Sequence, residues 1–478
     1  MTSLTFVQSK FFLAGKEHES KEILEVRNPH NEEIIGETFL ATERDLEEAV
    51  EVSVQGFQET KKLPSYRRSE ILLKIRNKLE KEVESFAKLL SLESGKPIKD
   101  ARREVQRAVL TFEIAAEEAK RIGGEFLDLN LSPSSENYYG IYRPFPIGPI
   151  LAITPFNFPL NLVAHKLAPA LAVGSSFVLK PASKTPLTAL KLASLILESG
   201  YPEKAVNVLP CTSSSGEKLA QDERFKLLSF TGSPSVGWKL KKLSGKKKVV
   251  LELGGNAAVI LTQDTPLELA VKRCVAGGFS YAGQSCISVQ RIFVHETLEK
   301  EFTSLFLAEV KKIKTGDPLD ETVDLGPMIS EKEALRAESW IQEAVHQGAE
   351  ILIGGMRKGN LLDPTVMTHV SPEMKVSCQE VFAPLVMITP YQEFEDALKM
   401  VNHSDFGLQS GVFTQNLNQI LKAYESLEVG GVLINEVPTW RMDSMPYGGI
   451  KDSGLGREGI KYAVQEMTEG KLLVVHPV

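Results

Sequence analysis

A cysteine set among small and polar residues, Gly283-Gln-Ser-Cys286-Ile-Ser, and a glutamate ending an apolar run, Val249-Val-Leu-Glu252-Leu-Gly-Gly-Asn256, are the residues best suited to chemistry in this chain. A thiolate attacks electrophilic carbon and a carboxylate takes a proton from water, so together they could form a thioester and hydrolyse it. Each has a plainer reading on its own. A lone cysteine is more often a buried core thiol, and a glutamate closing a strand more often a structural acceptor. Asn157, between Phe156 and Phe158 just past a strand, would by itself be a turn residue.

The elements that would position them read as α/β. Residues 42 to 122 are expected to be helical, opening with the capping box Thr42-Glu-Arg-Asp45 and continuing with Leu72, Ile75, Leu79, Val83, Phe86 and Leu90 on one face. Ser94-Gly95-Lys-Pro97 stops one helix, and the next is expected over 100–121. From Ile150 to Leu253 short β-type runs (150–153, 177–179, 206–209, 227–230, 249–253) alternate with helical segments, the pattern of a Rossmann-like parallel sheet. One helix there is expected to be capped by Thr185, with Pro186 in its first turn and Gly200 at its end. Such sheets bind ligands beyond the carboxyl ends of their strands, where Thr154 to Asn157, Lys180 and Thr231 to Ser233 would sit. A second α/β series, with strands expected over 287–294 and 383–388, carries the cysteine. A β-hairpin over 123–147 and a last strand over 472–478 suit an oligomerisation extension, since unpaired edges attract another subunit. The division expected is a nucleotide domain over 1–122 and 148–252, a catalytic domain over 253–445, and the extension over 123–147 and 446–478.

Bulk properties narrow the partners. The chain has 478 residues, a net charge of -7 and a pI near 5.8, so its field repels nucleic acid and anionic membranes and favours a small-molecule partner. Four cysteines without C-x-x-C spacing imply neither a disulfide framework nor a metal site and fit a reducing cytoplasm. No leader-like start or membrane-length apolar run stands out. Two motifs mislead. Gly454-Leu-Gly456-Arg-Glu-Gly459 spells a dinucleotide fingerprint, but no strand precedes it and too little chain follows for a β-α-β unit. Gly232-Ser-Pro-Ser-Val-Gly237-Trp238-Lys239 half-spells a P-loop, with Trp238 where the lysine belongs. The lysine run from Lys239 to Lys248 reads as a solvated helix end before a buried strand.

Taken together, Ile153-Thr-Pro-Phe-Asn157-Phe-Pro-Leu160, Leu179-Lys-Pro-Ala-Ser183, Phe230-Thr-Gly-Ser233, Leu251-Glu-Leu-Gly-Gly255, Gly283-Gln-Ser-Cys286, Glu380-Val-Phe382-Ala-Pro384 and Pro446-Tyr-Gly-Gly-Ile-Lys451 resemble the aldehyde dehydrogenase superfamily in order and spacing. The likeness runs from Phe11-Phe-Leu-Ala-Gly-Lys16 to the final strand. It implies that Cys286 is the nucleophile, that the Asn157 amide and the Cys286 N–H hold the oxyanion, and that Glu252 activates water with Lys166 near its proton path. It implies an NADP or NAD site made by Thr154, Phe156, Lys180, Ser183, Lys184, Gly232, Ser233, Leu253, Glu380 and Phe382, with Glu380 at the nicotinamide ribose. Ser183 stands where NAD-preferring relatives carry glutamate, and Lys184 follows, so NADP is favoured with NAD tolerated.

By the same resemblance the substrate tunnel takes Arg107, Asn161, Leu162, His165, Ser285, Ile287 and Arg441. Two arginines favour an anionic or polyhydroxylated aldehyde, unless they are surface residues, the commoner fate of arginine. The segment from Glu436 to Tyr447 looks most like that of lactaldehyde and related dehydrogenases of small polar aldehydes. Ser285 and His165 replace arginines of phosphate-binding and succinate semialdehyde relatives, which puts a small hydroxyaldehyde first and those two substrates second. Glu252 favours hydrolysis over acyl transfer to coenzyme A. That transfer, or a non-catalytic protein of the same fold, are the rivals. A homodimer or homotetramer is expected.

Overall fold

A computed structural model describes residues 6–476 of the chain. The end of the expected last strand, Pro477 and Val478, and the first five residues lie outside the described residues.

The capping box forms as expected: Thr42 Oγ1 accepts the Asp45 N–H at 3.2 Å and Asp45 accepts the Thr42 N–H at 2.8 Å, starting helix Glu43–Thr60. The single apolar face expected from Leu72 to Leu90 is divided between helices Ser65–Lys81 and Val83–Ser94, which break at Glu82. Gly95, at φ 72°, ends the second, and Pro97 opens helix Ile98–Arg121. Thr185 does not cap helix Leu187–Glu198. The buried Glu93 carboxylate does so from another helix, accepting the Leu187 and Thr188 N–H groups at 2.9 and 3.1 Å. A cap supplied across the fold leaves no trace in the local sequence.

The first sheet has eight strands in the order Gly454–Leu455, Lys248–Glu252, Leu227–Thr231, Ile150–Ile153, Phe177–Lys180, Val206–Val208, Phe11–Leu13, Lys16–His18. Its five central strands are parallel and apolar on both faces, as a sheet covered by helices on two sides requires. The second sheet has seven strands, in the order Glu350–Ile353, Thr365–Thr368, Leu385–Tyr391, Arg291–His295, Ala258–Leu261, Gln409–Phe413, Gly431–Ile434. Its strands begin later than expected, at Arg291 rather than Ile287 and at Leu385 rather than Ala383. Ser288 N–H bonds back to Ser285 and Val289 N–H to Gly277, so a turn holds the amides that a ladder would need.

The hairpin strands Glu125–Asp128 and Tyr139–Pro146 form a three-stranded antiparallel sheet with Thr468–Val475. The stretch from Gly454 to Met467, expected to belong with that extension, lies elsewhere. Gly454–Leu455 pairs with Lys248–Glu252, and Ile460, Val464 and Met467 pack into the first core. The spelled fingerprint is thus an edge strand and the start of helix Ile460–Glu466. Among the described residues no helix is long and apolar enough to cross a membrane.

Candidate active site

The nucleophile candidate is presented by a tight reversal. After helix Leu267–Phe279, Tyr281, Ala282 and Gly283 take φ of 51°, 53° and 65°. Gly283 cannot be replaced cheaply, because a methyl there would stand 2.1 Å from the Ala383 carbonyl oxygen. The buried Gln284 side chain pins the reversal, donating to Tyr281 O at 3.3 Å and accepting the Ile329 N–H at 2.8 Å. Cys286 emerges half-buried with Sγ 3.2 Å from Tyr447 Oη. Burial pushes its thiol up to about 12, with the Tyr447 hydrogen bond opposing and Glu380 and Glu252 adding to the rise. Among the described residues its backbone N–H finds no acceptor, and the Asn157 side-chain amide makes no hydrogen bond.

Glu252 ends the strand facing that loop. Its two glycine neighbours allow the approach: a methyl on Gly255 would stand 2.4 Å from the Cys286 carbonyl oxygen, and one on Gly254 would stand 2.5 Å from the Glu380 carboxylate. Both Glu252 carboxylate oxygens are buried without a partner among the described residues. Burial first, and the Glu458 charge second, hold this carboxyl well above the usual range. An unpartnered buried carboxyl next to a thiol is costly to keep unless water or substrate completes it.

One layer behind lies a charge network that decides where several expected residues go. Lys166 Nζ donates to Ser229 Oγ at 2.9 Å and Glu458 Oε1 at 3.1 Å. Arg441 Nη2 lies 3.3 Å from Glu458 Oε2 and 3.3 Å from His165 Nδ1. Asp443 receives Arg107 at 2.7 Å, Asn161 at 3.2 Å and His165 Nε2 at 2.7 Å. Burial favours neutral Asp443, but these donors outweigh it and hold the carboxyl far below its ordinary value. Burial, then the Arg441 charge, lowers His165, so the ring is neutral, donates through Nε2 to Asp443 and accepts through Nδ1. His165 therefore does not line the cavity as expected; it orients Arg441. Glu458, lowered to about 2 by Lys166 and Arg441 against its burial, was not anticipated, because it sits inside the discarded glycine motif.

A second unanticipated pair is Lys96 and Glu104, each 1% exposed and in direct contact. The other Glu104 oxygen accepts the Leu160 and Asn161 N–H groups at 2.9 and 3.1 Å, capping helix Asn161–Val173, which carries His165 and Lys166. The Lys96 ammonium lies 3.9 Å from the Phe158 ring centre and 4.3 Å from that of Tyr281, two residues at positive φ. The only sequence signal for this pair was a lysine after a helix-stopping glycine and a glutamate one turn before Arg107.

A cavity of about 1160 Å³ is lined by residues of both α/β units. Asn157, Glu252, Cys286, Ser285 and Ile287 all line it. Arg107, Asn161, Leu162 and Arg441 line it as well, as do Phe156, Gly232, Ser233, Leu253, Glu380, Phe382 and Lys184. Arg107 is 30% exposed and Arg441 5%, so neither lies free on the surface. Thr154, Lys180, Ser183 and Lys166 do not form the wall. Thr154 donates its N–H to Lys180 O, and the Lys180 stem packs over Gly216. The lining offers open groups to a dinucleotide. Helix Pro234–Leu243 begins there with no side chain capping it, the buried Thr231 hydroxyl has no partner, and Glu380 accepts the Gly255 N–H at 2.9 Å.

A Rossmann-like sheet and a cysteine-bearing α/β unit that join a thiol, an unpaired carboxyl and an open helix N-terminus in one cavity define a nicotinamide-dependent oxidoreductase. The chain belongs to the aldehyde dehydrogenase family, which matches residues 16–473. It is 44% identical to 3-sulfolactaldehyde dehydrogenase of Priestia aryabhattai over 100% of both chains. Its structure resembles aldehyde dehydrogenase 21 from Physcomitrella patens in complex with the reaction product succinate, at 45% identity, a TM-score of 0.96 and 99% coverage of each chain. It also resembles the glyceraldehyde-3-phosphate dehydrogenase of Methanocaldococcus jannaschii complexed with NADP, at 38% identity and a TM-score of 0.92, covering 96% of this chain and 100% of that one. The protein is an NAD(P)-dependent oxidoreductase acting on aldehydes.

Proposed function

We propose that the enzyme oxidises a short aldehyde bearing an anionic group at its far end, a hydroxylated three-carbon aldehyde such as 3-sulfolactaldehyde first among them. The observation that carries this is the set of uncommitted polar groups around Cys286: the Cys286 N–H, the Asn157 amide, both Glu252 oxygens and the Arg441 Nε. Cys286 attacks the carbonyl carbon, and the oxyanion is received by the Asn157 amide and the Cys286 N–H, each such donor contributing about 3 kcal/mol at the transition state. Bound NAD(P) supplies the acceptor for the hydride that leaves this carbon, held by Ser233, Lys184, Glu380 and Phe382. Glu252 then takes a proton from the water that cleaves the Cys286 thioester, and the acid departs. Lys166 and Glu458 flank Glu252 and set its charge.

Arg441 and Arg107 receive the far anion. Two similar proteins are named for sulfonate- or phosphate-bearing aldehydes and a third is complexed with succinate, which supports this choice, while relatives named lactaldehyde dehydrogenase support a neutral hydroxyaldehyde as the second reading. The test is NAD(P)H formation with 3-sulfolactaldehyde, succinate semialdehyde, lactaldehyde and butanal, each with NAD and NADP, in the wild type and in Cys286→Ala and Arg441→Met. Arg441→Met should cut kcat/KM for the anionic aldehydes by about tenfold or more beyond its effect on butanal, which reports the Arg441 contacts to Glu458 and Tyr447 alone. Equal turnover of butanal and the anionic aldehydes, or an equal loss for both in Arg441→Met, would sink the substrate reading.

The nucleotide unit comprises residues 1–122 and 148–252, with 253–445 as the catalytic unit; residues 446–453 pack with the catalytic unit and residues 454–467 with the first. The three-stranded sheet, exposing Phe126 at 70% and Leu473 at 56%, joins subunits into a dimer or tetramer. Leu473→Lys should then lower the mass seen in light scattering. Four free cysteines support a cytoplasmic protein.

A further inference from the structure

We propose that Tyr447 is a catalytic residue: its hydroxyl donates a hydrogen bond to Cys286 Sγ that stabilises the attacking sulfur and fixes its direction. The proposal rests on Cys286 being the nucleophile. Tyr447 Oη stands 3.2 Å from Sγ, and among the described residues the hydroxyl has no other hydrogen-bond partner. The residue is held in place on every side. Its backbone is locked to Glu458 by two hydrogen bonds of 2.6 and 3.0 Å, and its ring packs with Ile287, Leu408 and Cys286 in a small apolar cluster. Arg441 covers the ring face at 3.6 Å.

The chemistry fixes which group donates. A thiolate is an acceptor only. The phenol, raised well above its ordinary value first by burial, stays protonated at any working pH, so it must be the donor. The groups facing Cys286 are Glu252 and Glu380, which oppose a negative sulfur, and Tyr447 and Arg441, which favour it. A guanidinium over the ring draws electron density from the phenol and makes its O–H a stronger donor. A phenylalanine would fill the same space and keep the stacking but offer the sulfur nothing. In the step itself the thiol proton has already left to solvent. The sulfur electron pair forms the C–S bond, the carbonyl π pair moves onto oxygen, and the Tyr447 proton stays on Tyr447 throughout. The hydrogen bond weakens as charge leaves sulfur. The same residue thereby links the arginine that receives the substrate's anion to the atom that attacks its carbonyl.

The experiment is alkylation of the full-length enzyme by iodoacetamide across pH, without substrate, read by peptide mass spectrometry at Cys286 and at the half-buried Cys378. Tyr447→Phe should move the Cys286 midpoint up by about one pH unit and slow alkylation at pH 8 about tenfold, the effect of losing one hydrogen bond to a charged group, with Cys378 unchanged. Replacing Tyr447 with 3-fluorotyrosine, a more acidic phenol of nearly the same size, should move the midpoint the other way. Profiles that superimpose on wild type in both variants overturn the proposal. NAD(P)H formation from an aldehyde that persists in Cys286→Ala overturns the nucleophile reading itself, and that result is distinct because it involves no change at Tyr447.

Discussion

Glu104→Gln tests the buried pair that supports the active-site helix. The glutamine oxygen still accepts the Leu160 and Asn161 N–H groups, at 2.9 and 3.1 Å in the wild type, but its NH2 now faces the Lys96 ammonium. The cation is left 1% exposed without its ion-pair partner. Removing one member of a buried pair costs about 3–5 kcal/mol, and the two retained N–H bonds put this variant near the lower end, about 3 kcal/mol. Glu104→Ala also strands both N–H donors and belongs near the upper end, about 5 kcal/mol. A multidomain chain seldom unfolds in one step, so the assay is hydrogen exchange at the amides of Leu160 and Asn161. A loss of about 3 kcal/mol appears as exchange faster on the order of 100-fold. The double variant Lys96→Met/Glu104→Gln removes both charges and keeps an apolar stem between Phe158 and Tyr281, so it should regain most of the loss. The pH dependence has a definite sign. Burial holds Lys96 below 10.5 in the folded state, so the unfolded chain binds more protons below that value and stability rises as pH climbs toward it. Without Glu104, Lys96 falls further, and the deficit of Glu104→Gln should shrink with rising pH. Exchange within threefold of wild type, or a double variant no better than the single one, would refute the reasoning.

Glu252→Gln should release one equivalent of NAD(P)H per active site in a burst and then stall, with steady-state turnover down by about 100-fold or more, because the thioester forms but water is not activated; stopped-flow absorbance reads both phases. Glu458→Gln removes the charge that adds to the rise of Glu252 and frees Lys166 and Arg441 to stabilise its ionised form. Activity requires ionised Glu252 and is lost as pH falls through its value, so the acidic limb of the kcat profile should move down by about one unit; an upward shift contradicts the placement of Glu458. Lys184→Ala should raise KM for NADP about tenfold and leave that for NAD nearly unchanged, since a 2′-phosphate is the only group lost between the two cofactors. Equal effects on both would place Lys184 away from that phosphate.

The local elements were legible because their causes are local. The box at Thr42 and Asp45, the stop at Gly95, and the strands at Ile150, Phe177, Val206 and Leu227 follow from side-chain spacing and backbone freedom within a few residues. The thiol, the carboxyl and Asn157 could be read as a set because their motifs resemble those of one family, and all three line one cavity. Tertiary structure alone decided the rest. His165 became an orienting group once Asp443, 278 residues away in sequence, took its Nε2. Glu93 capped a helix 94 residues downstream where Thr185 had been expected to. Glu458 reached Lys166 across 292 residues from within a motif that spelled something else. Charge and hydrogen bonding act through a few ångströms of space, and sequence separation carries no record of which buried groups will meet there. The sequence determined which chemistry this chain holds, and the fold decided which side chains perform it and which ones hold those in place.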